Sequence, residues 1–188
     1  WDPEKKVIHA SNGQIVWDYS GRGFFTVDTP AAAVVIGFGG GRNHRLTDVS
    51  VQYDNPFANV YLAARRQDQT LADADQVVIM TLARTSNQGD ILEETEMAPL
   101  VRGRRDSRAR TPEDKRADYL ANPRLLVEPV KATVTLKRQD SCRVYALDHD
   151  GCLPKSPVEV PVVKANAQRQ FMLDGAHYKT MYYLVSYD

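Results

Sequence analysis

Residues 14 to 35 read Gln-Ile-Val-Trp-Asp-Tyr-Ser-Gly-Arg-Gly-Phe-Phe-Thr-Val-Asp-Thr-Pro-Ala-Ala-Ala-Val-Val, and no other stretch constrains the fold as strongly. Ile15 and Trp17 alternate with Val16 and Asp18, the period of a strand. Gly21 and Gly23 bracket Arg22 and supply the permissive backbone of a hairpin turn. Phe24 to Asp28 is aromatic and β-branched, and Pro30, which has no N–H for a ladder, ends it. Ala32 to Gly37 is apolar at successive positions, the mark of a strand covered on both faces. The stretch predicts a β-meander and names no reaction.

The same rhythm runs through most of the chain. Val7 to Ala10 is a short strand before the Ser11-Asn12-Gly13 turn. Leu46 to Tyr53, Asn59 to Ala64 and Val77 to Ala83 follow, with Asp54-Asn55-Pro56 and a polar Gln67 to Ala74 connection between them. Later come Leu125 to Val127, Lys131 to Lys137, Arg143 to Leu147, Val158 to Val163, Arg169 to Leu173 and Met181 to Tyr187. Pro161 predicts an edge position for its run. Short strands with turns about every 8 to 12 residues predict an all-β fold, an antiparallel β-sandwich of jelly-roll-like type.

Residues 86 to 122 interrupt that pattern. Arg102, Arg104, Arg105, Arg108 and Arg110 crowd together. Thr111-Pro112-Glu113-Asp114 then has the N-cap, first-turn proline and acids of a helix start, running to about Leu120. The expectation is one sandwich domain over residues 1–188 with a charged insertion at about 86–122 that carries a short helix.

A chain of 188 residues can bury a substantial core. Lysine plus arginine and aspartate plus glutamate both number 24, so the net charge is zero. That balance argues against a general nucleic-acid binder. No apolar run approaches the ~18 residues of a membrane helix. The chain starts Trp1-Asp2-Pro3 without Met or a signal segment, which reads as a mature product or a piece of a longer protein. Cys142 and Cys152 flank a turn at Asp148-His149-Asp150-Gly151 and fall roughly 17 Å apart at ~3.4 Å per residue, too far for a disulfide.

Ser11-Asn12-Gly13-Gln14-Ile15-Val16-Trp17-Asp18, followed by Gly23-Phe24-Phe25-Thr26-Val27-Asp28-Thr29-Pro30 and Ile36-Gly37-Phe38, resembles a run in certain bacterial glycoside hydrolases. There it lies in a β-rich region C-terminal to a TIM-barrel catalytic domain. Ala83 to Gly89, Leu125 to Val130 with Thr133 to Leu136, and Val144 to Asp148 with Asp150-Gly151 resemble later motifs of that region, in the same order. Ala31-Ala32-Ala33 departs from its usual polar triplet, and the arginine-rich 102 to 122 segment is extra. In such enzymes the catalytic carboxylates sit on the barrel. The resemblance therefore implies a noncatalytic ancillary domain, with polysaccharide and the parent's catalytic domain as partners, in an extracellular or periplasmic protein. The rival expectation is a purely structural or interaction β-domain with no sugar affinity.

No set of residues has the form of a catalytic centre. Gly37-Phe38-Gly39-Gly40-Gly41 reads as a flexible strand connection rather than a phosphate loop, because another strand follows it and not a helix. Asp148, Asp150 and Gly151 read as a turn; a structural calcium is conceivable there, but the remaining oxygen ligands are missing, and no cofactor is expected. Glu93, Glu94 and Glu96 read as a solvated face, since glycoside hydrolysis needs carboxylates facing each other across the bond. His9, His44, His149 and His177 lack metal-ligand spacing. The arginine run reads as a solvated insertion or a docking surface, with anionic polysaccharide as the sharper alternative. Sugar rings stack on aromatic faces, so Trp17, Tyr19 and Tyr53 are the carbohydrate-binding candidates. For Trp17 the preferred reading is a core position beside Ile15. Tyr182 and Tyr183 are expected on opposite faces of the last strand.

Overall fold

The computed structural model describes residues 2–87, 91–94, 99–102 and 125–187. Its strands are Val7–His9 (β1), Ile15–Asp18 (β2), Phe24–Asp28 (β3), Ala32–Gly37 (β4), Asn43–Arg45 (β5), Val49–Tyr53 (β6), Ala58–Ala64 (β7), Gln76–Leu82 (β8), Thr85–Asn87 (β9), Ile91–Glu94 (β10), Pro99–Arg102 (β11), Leu125–Val127 (β12), Lys131–Leu136 (β13), Cys142–Ala146 (β14), Val158–Val160 (β15), Val162–Ala165 (β16), Gln168–Asp174 (β17) and Tyr182–Tyr187 (β18). A single helical turn, Gly175–Tyr178 (α1), joins β17 to β18, capped by Asp174, whose carboxylate accepts the N–H groups of Ala176 and His177. The helix expected near Thr111 to Leu120 lies outside the described residues.

The chain divides into two compact units, Trp1–Ala83 with Pro129–Asp188, and Arg84–Glu128. The first is an all-β antiparallel sandwich. One sheet has nine strands in the order β1-β2-β3-β4-β7-β8-β18-β14-β15, the other five in the order β16-β17-β13-β6-β5. Hairpins pass from sheet to sheet: β5–β6 leaves the larger sheet after β4, β14–β15 returns to it, and β16–β17 leaves it again. Pro161 sits at one such crossing, between β15 and β16, which are edge strands of the two sheets. A residue that cannot donate to a ladder costs least there, as the sequence predicts.

The core follows from strict alternation. Val49, Val51 and Tyr53 of β6, Ala132, Val134 and Leu136 of β13, and Phe171 and Leu173 of β17 are buried. Facing them are Val35, Val60, Leu62, Val77, Ile79, Val144, Tyr183 and Val185. Side-chain size alternates across the register: small Ala132 lies between Tyr53 and Leu173, which lets two bulky side chains share one row. Each fully buried aliphatic of this set contributes about 1.5–3 kcal/mol relative to exposure.

Two local expectations change. Leu46 to Tyr53 is not one strand. Leu46 and Val49 are both buried although three residues apart, which a period of two forbids. The chain instead makes a β5–β6 hairpin whose turn is closed by the Leu46 N–H on the Val49 carbonyl at 2.9 Å. The glycine connection after β4 is also not flexible. A Cβ at Gly39 would stand 2.5 Å from His44 Nε2, and one at Gly40 would stand 2.3 Å from the Asn55 carbonyl oxygen. The glycines are there because the loop is packed against β5, β6 and the turn after them.

The second unit contains two antiparallel pairs, β9 with β12 and β10 with β11. At its base the Glu128 N–H donates to the Arg84 carbonyl at 2.9 Å. Arg84 also clamps the Glu128 carboxylate, through Nε at 2.6 Å and Nη2 at 3.2 Å. The expected interruption of the sandwich is thus a unit of its own with strands in it, which its short polar runs did not signal.

Candidate functional site: an exposed aromatic face

The nine-stranded sheet is wider than the sheet that covers it: Phe24 of β3 packs on His44 of β5, and β1 and β2 lie beyond it in the strand order. No residue of β1, β2 or β3 belongs to the buried core. The face that Trp17 occupies corrects its expected core position. Its strand alternates so that Ile15 and Trp17 turn to the outer face, and Trp17 is 40% exposed. Directly across the register stands Phe25, 42% exposed. The two rings lie 5.3 Å apart and within 10° of parallel. Tyr19, half-buried, adds a third ring at 5.6 Å and 54° from Trp17.

The pair is part of a cross-strand row, Ile8, Trp17, Phe25 and Ile36, running from β1 to β4. A second row on the same face carries Ile15, Val27, Val34, Tyr61 and Met80. Ile8, Ile15, Ile36, Tyr61 and Met80 are all exposed. An antiparallel sheet usually sets polar residues on its solvent side, so a contiguous apolar face of this kind marks an interaction surface.

Polar groups gather at the turn end of the pair. Asp18 accepts from the Ser20 N–H at 2.8 Å and from the Ser20 hydroxyl, and Arg42 Nη1 reaches its other oxygen at 3.3 Å. Partial burial opposes ionisation of Asp18, but the Ser20 hydrogen bonds and the Arg42 charge outweigh it, so its pKa lies below the usual value. The Arg22 guanidinium lies 3.9 Å over the Phe38 ring and Arg42 5.3 Å over Phe24. Asp18 pairs with Phe24 in the register and so lies on the face opposite Trp17, where it ties the β2–β3 turn to Arg42 in the β4–β5 connection.

Tyr53 is not part of this surface. It is 0% exposed, and its hydroxyl donates to the Gly37 carbonyl at 2.9 Å and accepts the Gly39 N–H at 2.9 Å. The ring is stacked on His44, 5.7 Å away. A side chain held in the core on all sides offers no face to a sugar, which removes Tyr53 from the candidates. His44 is buried too, with Nε2 3.0 Å from the Gly39 carbonyl oxygen, and burial holds its pKa below the usual value.

Phe25 is the residue that sequence reasoning missed. The signal was present: pairing about the Gly21-Arg22-Gly23 turn places residue 25 opposite residue 17. Tyr183 is buried and Tyr182 half-buried on the opposite face, as alternation requires. The Asp148 carboxylate accepts the N–H groups of Asp150 and Cys152, which makes 148–152 a side-chain-stabilised turn. Among the described residues no group of three or more His, Cys, Asp or Glu could hold a metal ion. No disulfide joins Cys142 and Cys152. No described helix is long and apolar enough to cross a membrane. Glu93 and Glu94 lie on β10; Glu96 and the arginines from 104 to 110 lie outside the described residues.

No family model, curated protein or solved structure matches this chain.

Proposed function

We propose that this is a noncatalytic ancillary domain of a carbohydrate-active enzyme, acting outside the cytoplasm, and that it binds polysaccharide on the outer face of its larger sheet. The observation that carries this reading is the exposed, parallel Trp17–Phe25 pair with Tyr19 beside it. Pyranose rings present flat C–H faces that pack on such surfaces. Affinity electrophoresis against a panel of neutral and anionic polysaccharides tests it. Retention that Trp17→Ala abolishes supports the platform; retention on no polysaccharide rejects it.

A second reading has its own observation. The side chains flanking the pair, Ile8, Ile15 and Ile36, are apolar and exposed, and they suit a protein surface better than a sugar. On that reading the face docks a partner domain, such as the catalytic domain of the parent enzyme, or serves a purely structural role. It predicts no retention on any glycan and protection of Trp17 from acrylamide quenching by the partner domain.

A further inference from the structure

The β7–β8 connection closes on a pocket of about 310 Å³ lined by Arg65, Arg66, Gln69, Asp75, Gln76, Ser186 and Tyr187. In strand alternation Arg65, Gln76 and Ser186 fall on the same face as Tyr61 and Met80. The pocket therefore opens in part on the outer side of the larger sheet, at the far end from Trp17, while Tyr187 turns toward the core. Four strand spacings and six residues along the strand separate Gln76 from Trp17, roughly 28 Å at ~4.8 Å per strand and ~3.4 Å per residue. An oligosaccharide several residues long covers that distance.

Charge within the pocket is unevenly matched. Arg66 is neutralised, forking onto the Asp68 carboxylate at 3.2 and 2.9 Å with Asp75 at 3.8 Å. Gln69 donates to Asp75 at 2.9 Å. Arg65 differs. Its Nη1 donates to the neutral Gln76 amide oxygen at 2.5 Å, and no carboxylate among the described residues pairs with it. The rest of its guanidinium fork is open beside a cavity that also offers amides, a carboxylate and a hydroxyl.

The geometry points to a subsite for a carboxylate-bearing sugar, a uronate unit of an acidic polysaccharide. A planar carboxylate matches the guanidinium fork in two parallel hydrogen bonds. Ser186, Gln69 and Asp75 supply donors and acceptors for ring hydroxyls. The volume lies at the lower end of the range for small-ligand sites, suited to one ring rather than a chain. This assignment rests on the carbohydrate-binding reading and narrows its ligand.

Isothermal titration of the full chain with a galacturonate oligosaccharide, its methyl ester and a sulfated oligosaccharide tests the subsite. The free acid is expected to bind at least about tenfold tighter than the ester, equivalent to about 1.4 kcal/mol. Arg65→Gln is expected to erase that preference without changing the melting temperature, since Arg65 is exposed. Ser186→Ala is expected to weaken both ligands alike. Equal binding of acid and ester, or a preference that survives Arg65→Gln, overturns the subsite. Tighter binding of the sulfated ligand through Arg65 overturns the carboxylate assignment. Trp17→Ala separates the two levels. If it abolishes binding of neutral glycans in a protein with no uronate preference, the platform stands and the subsite fails. If uronate binding persists in Trp17→Ala and neutral glycans never bind, the subsite stands and the platform fails.

Discussion

The Tyr53 hydroxyl accepts the backbone N–H of Gly39 at 2.9 Å from inside the core, fourteen residues further along the chain. The same hydroxyl donates to Gly37, so one side chain satisfies a carbonyl at the end of β4 and an N–H of the loop that follows it. Tyr53→Phe keeps the ring and strands both. The expected cost is about 1–3 kcal/mol, a melting point lower by roughly 2–4 °C per kcal/mol. Gly39→Ala should cost more, because its Cβ would meet His44 Nε2 at 2.5 Å and the Tyr53 hydroxyl at 2.7 Å. Thermal unfolding followed by circular dichroism measures both. A Tyr53→Phe protein as stable as wild type would mean the loop is held by other contacts.

His44 makes stability depend on pH. Burial favours its neutral form, and the Arg42 charge adds to that, while the hydrogen bond to Gly39 and the Asp18 carboxylate oppose it. The unfolded chain therefore takes up the proton first. Stability from this group is full above the ordinary histidine value of 6.5 and is lost as pH falls toward the lowered folded-state value. Asp18, also depressed, contributes fully above 3.8, and that contribution is lost only as pH falls below that value. Calorimetry between pH 8 and pH 5 should show a falling melting temperature, with a shallower fall in His44→Gln. Parallel curves for the two proteins would rule out His44 as the origin.

Tyr183 presents the opposite case to Tyr53. Its side chain is fully buried, and among the described residues its hydroxyl makes no close hydrogen bond, with only the Asp174 backbone near enough to act on it. Desolvation pushes its pKa far up, with the Asp174 charge adding to the effect. Removing a buried group that makes no bond removes a penalty, so Tyr183→Phe should leave stability unchanged or raise it by up to about 1–3 kcal/mol. Urea unfolding decides, and a loss greater than about 1 kcal/mol would show that the hydroxyl is satisfied in solution.

The second unit should be dispensable for folding. The buried core residues among the described ones lie in the sandwich, and the two ends of the insertion are held together by the Glu128 N–H on the Arg84 carbonyl at 2.9 Å. A short glycine-containing turn in place of Arg84–Glu128 spans that gap with little loop-closure cost. The shortened protein is expected to unfold in one cooperative transition with near-UV signal retained. Loss of that signal would mean the sandwich needs the insertion.

Much of the sandwich was legible because its strands obey a period of two and its turns use glycine, proline and asparagine. Phe24–Asp28, Ala32–Gly37 and Leu125–Val127 lie where their residues put them. What was not legible depended on partners distant in sequence. Tyr53 and Trp17 both sit on alternating strands, and alternation alone does not say which face is covered. The decision comes from the second sheet, which covers one face of the larger sheet only: Tyr53 of β6 points between the sheets, and Trp17 of β2 points to the uncovered face. Packing of the Gly37–Gly41 loop was hidden for the same reason, since its contacts come from His44, Tyr53 and Asn55.

The place of the Trp17–Phe25 pair on the uncovered face also fixes what it can be worth. Both rings keep about two-fifths of their surface in solvent, at 40% and 42% exposure, so neither anchors the core. Each single change to alanine should therefore cost less than the 3–5 kcal/mol typical of a buried aromatic. The stacked geometry, 5.3 Å and 10°, still predicts coupling between them. A double-mutant cycle of Trp17→Ala and Phe25→Ala in urea unfolding should give an interaction term of about 0.5–1.5 kcal/mol. A term near zero would mean the rings do not stay stacked in solution, and the platform would then have to be assembled by its ligand. Full core-like losses for either single change would mean that the face is covered by protein even in the isolated chain.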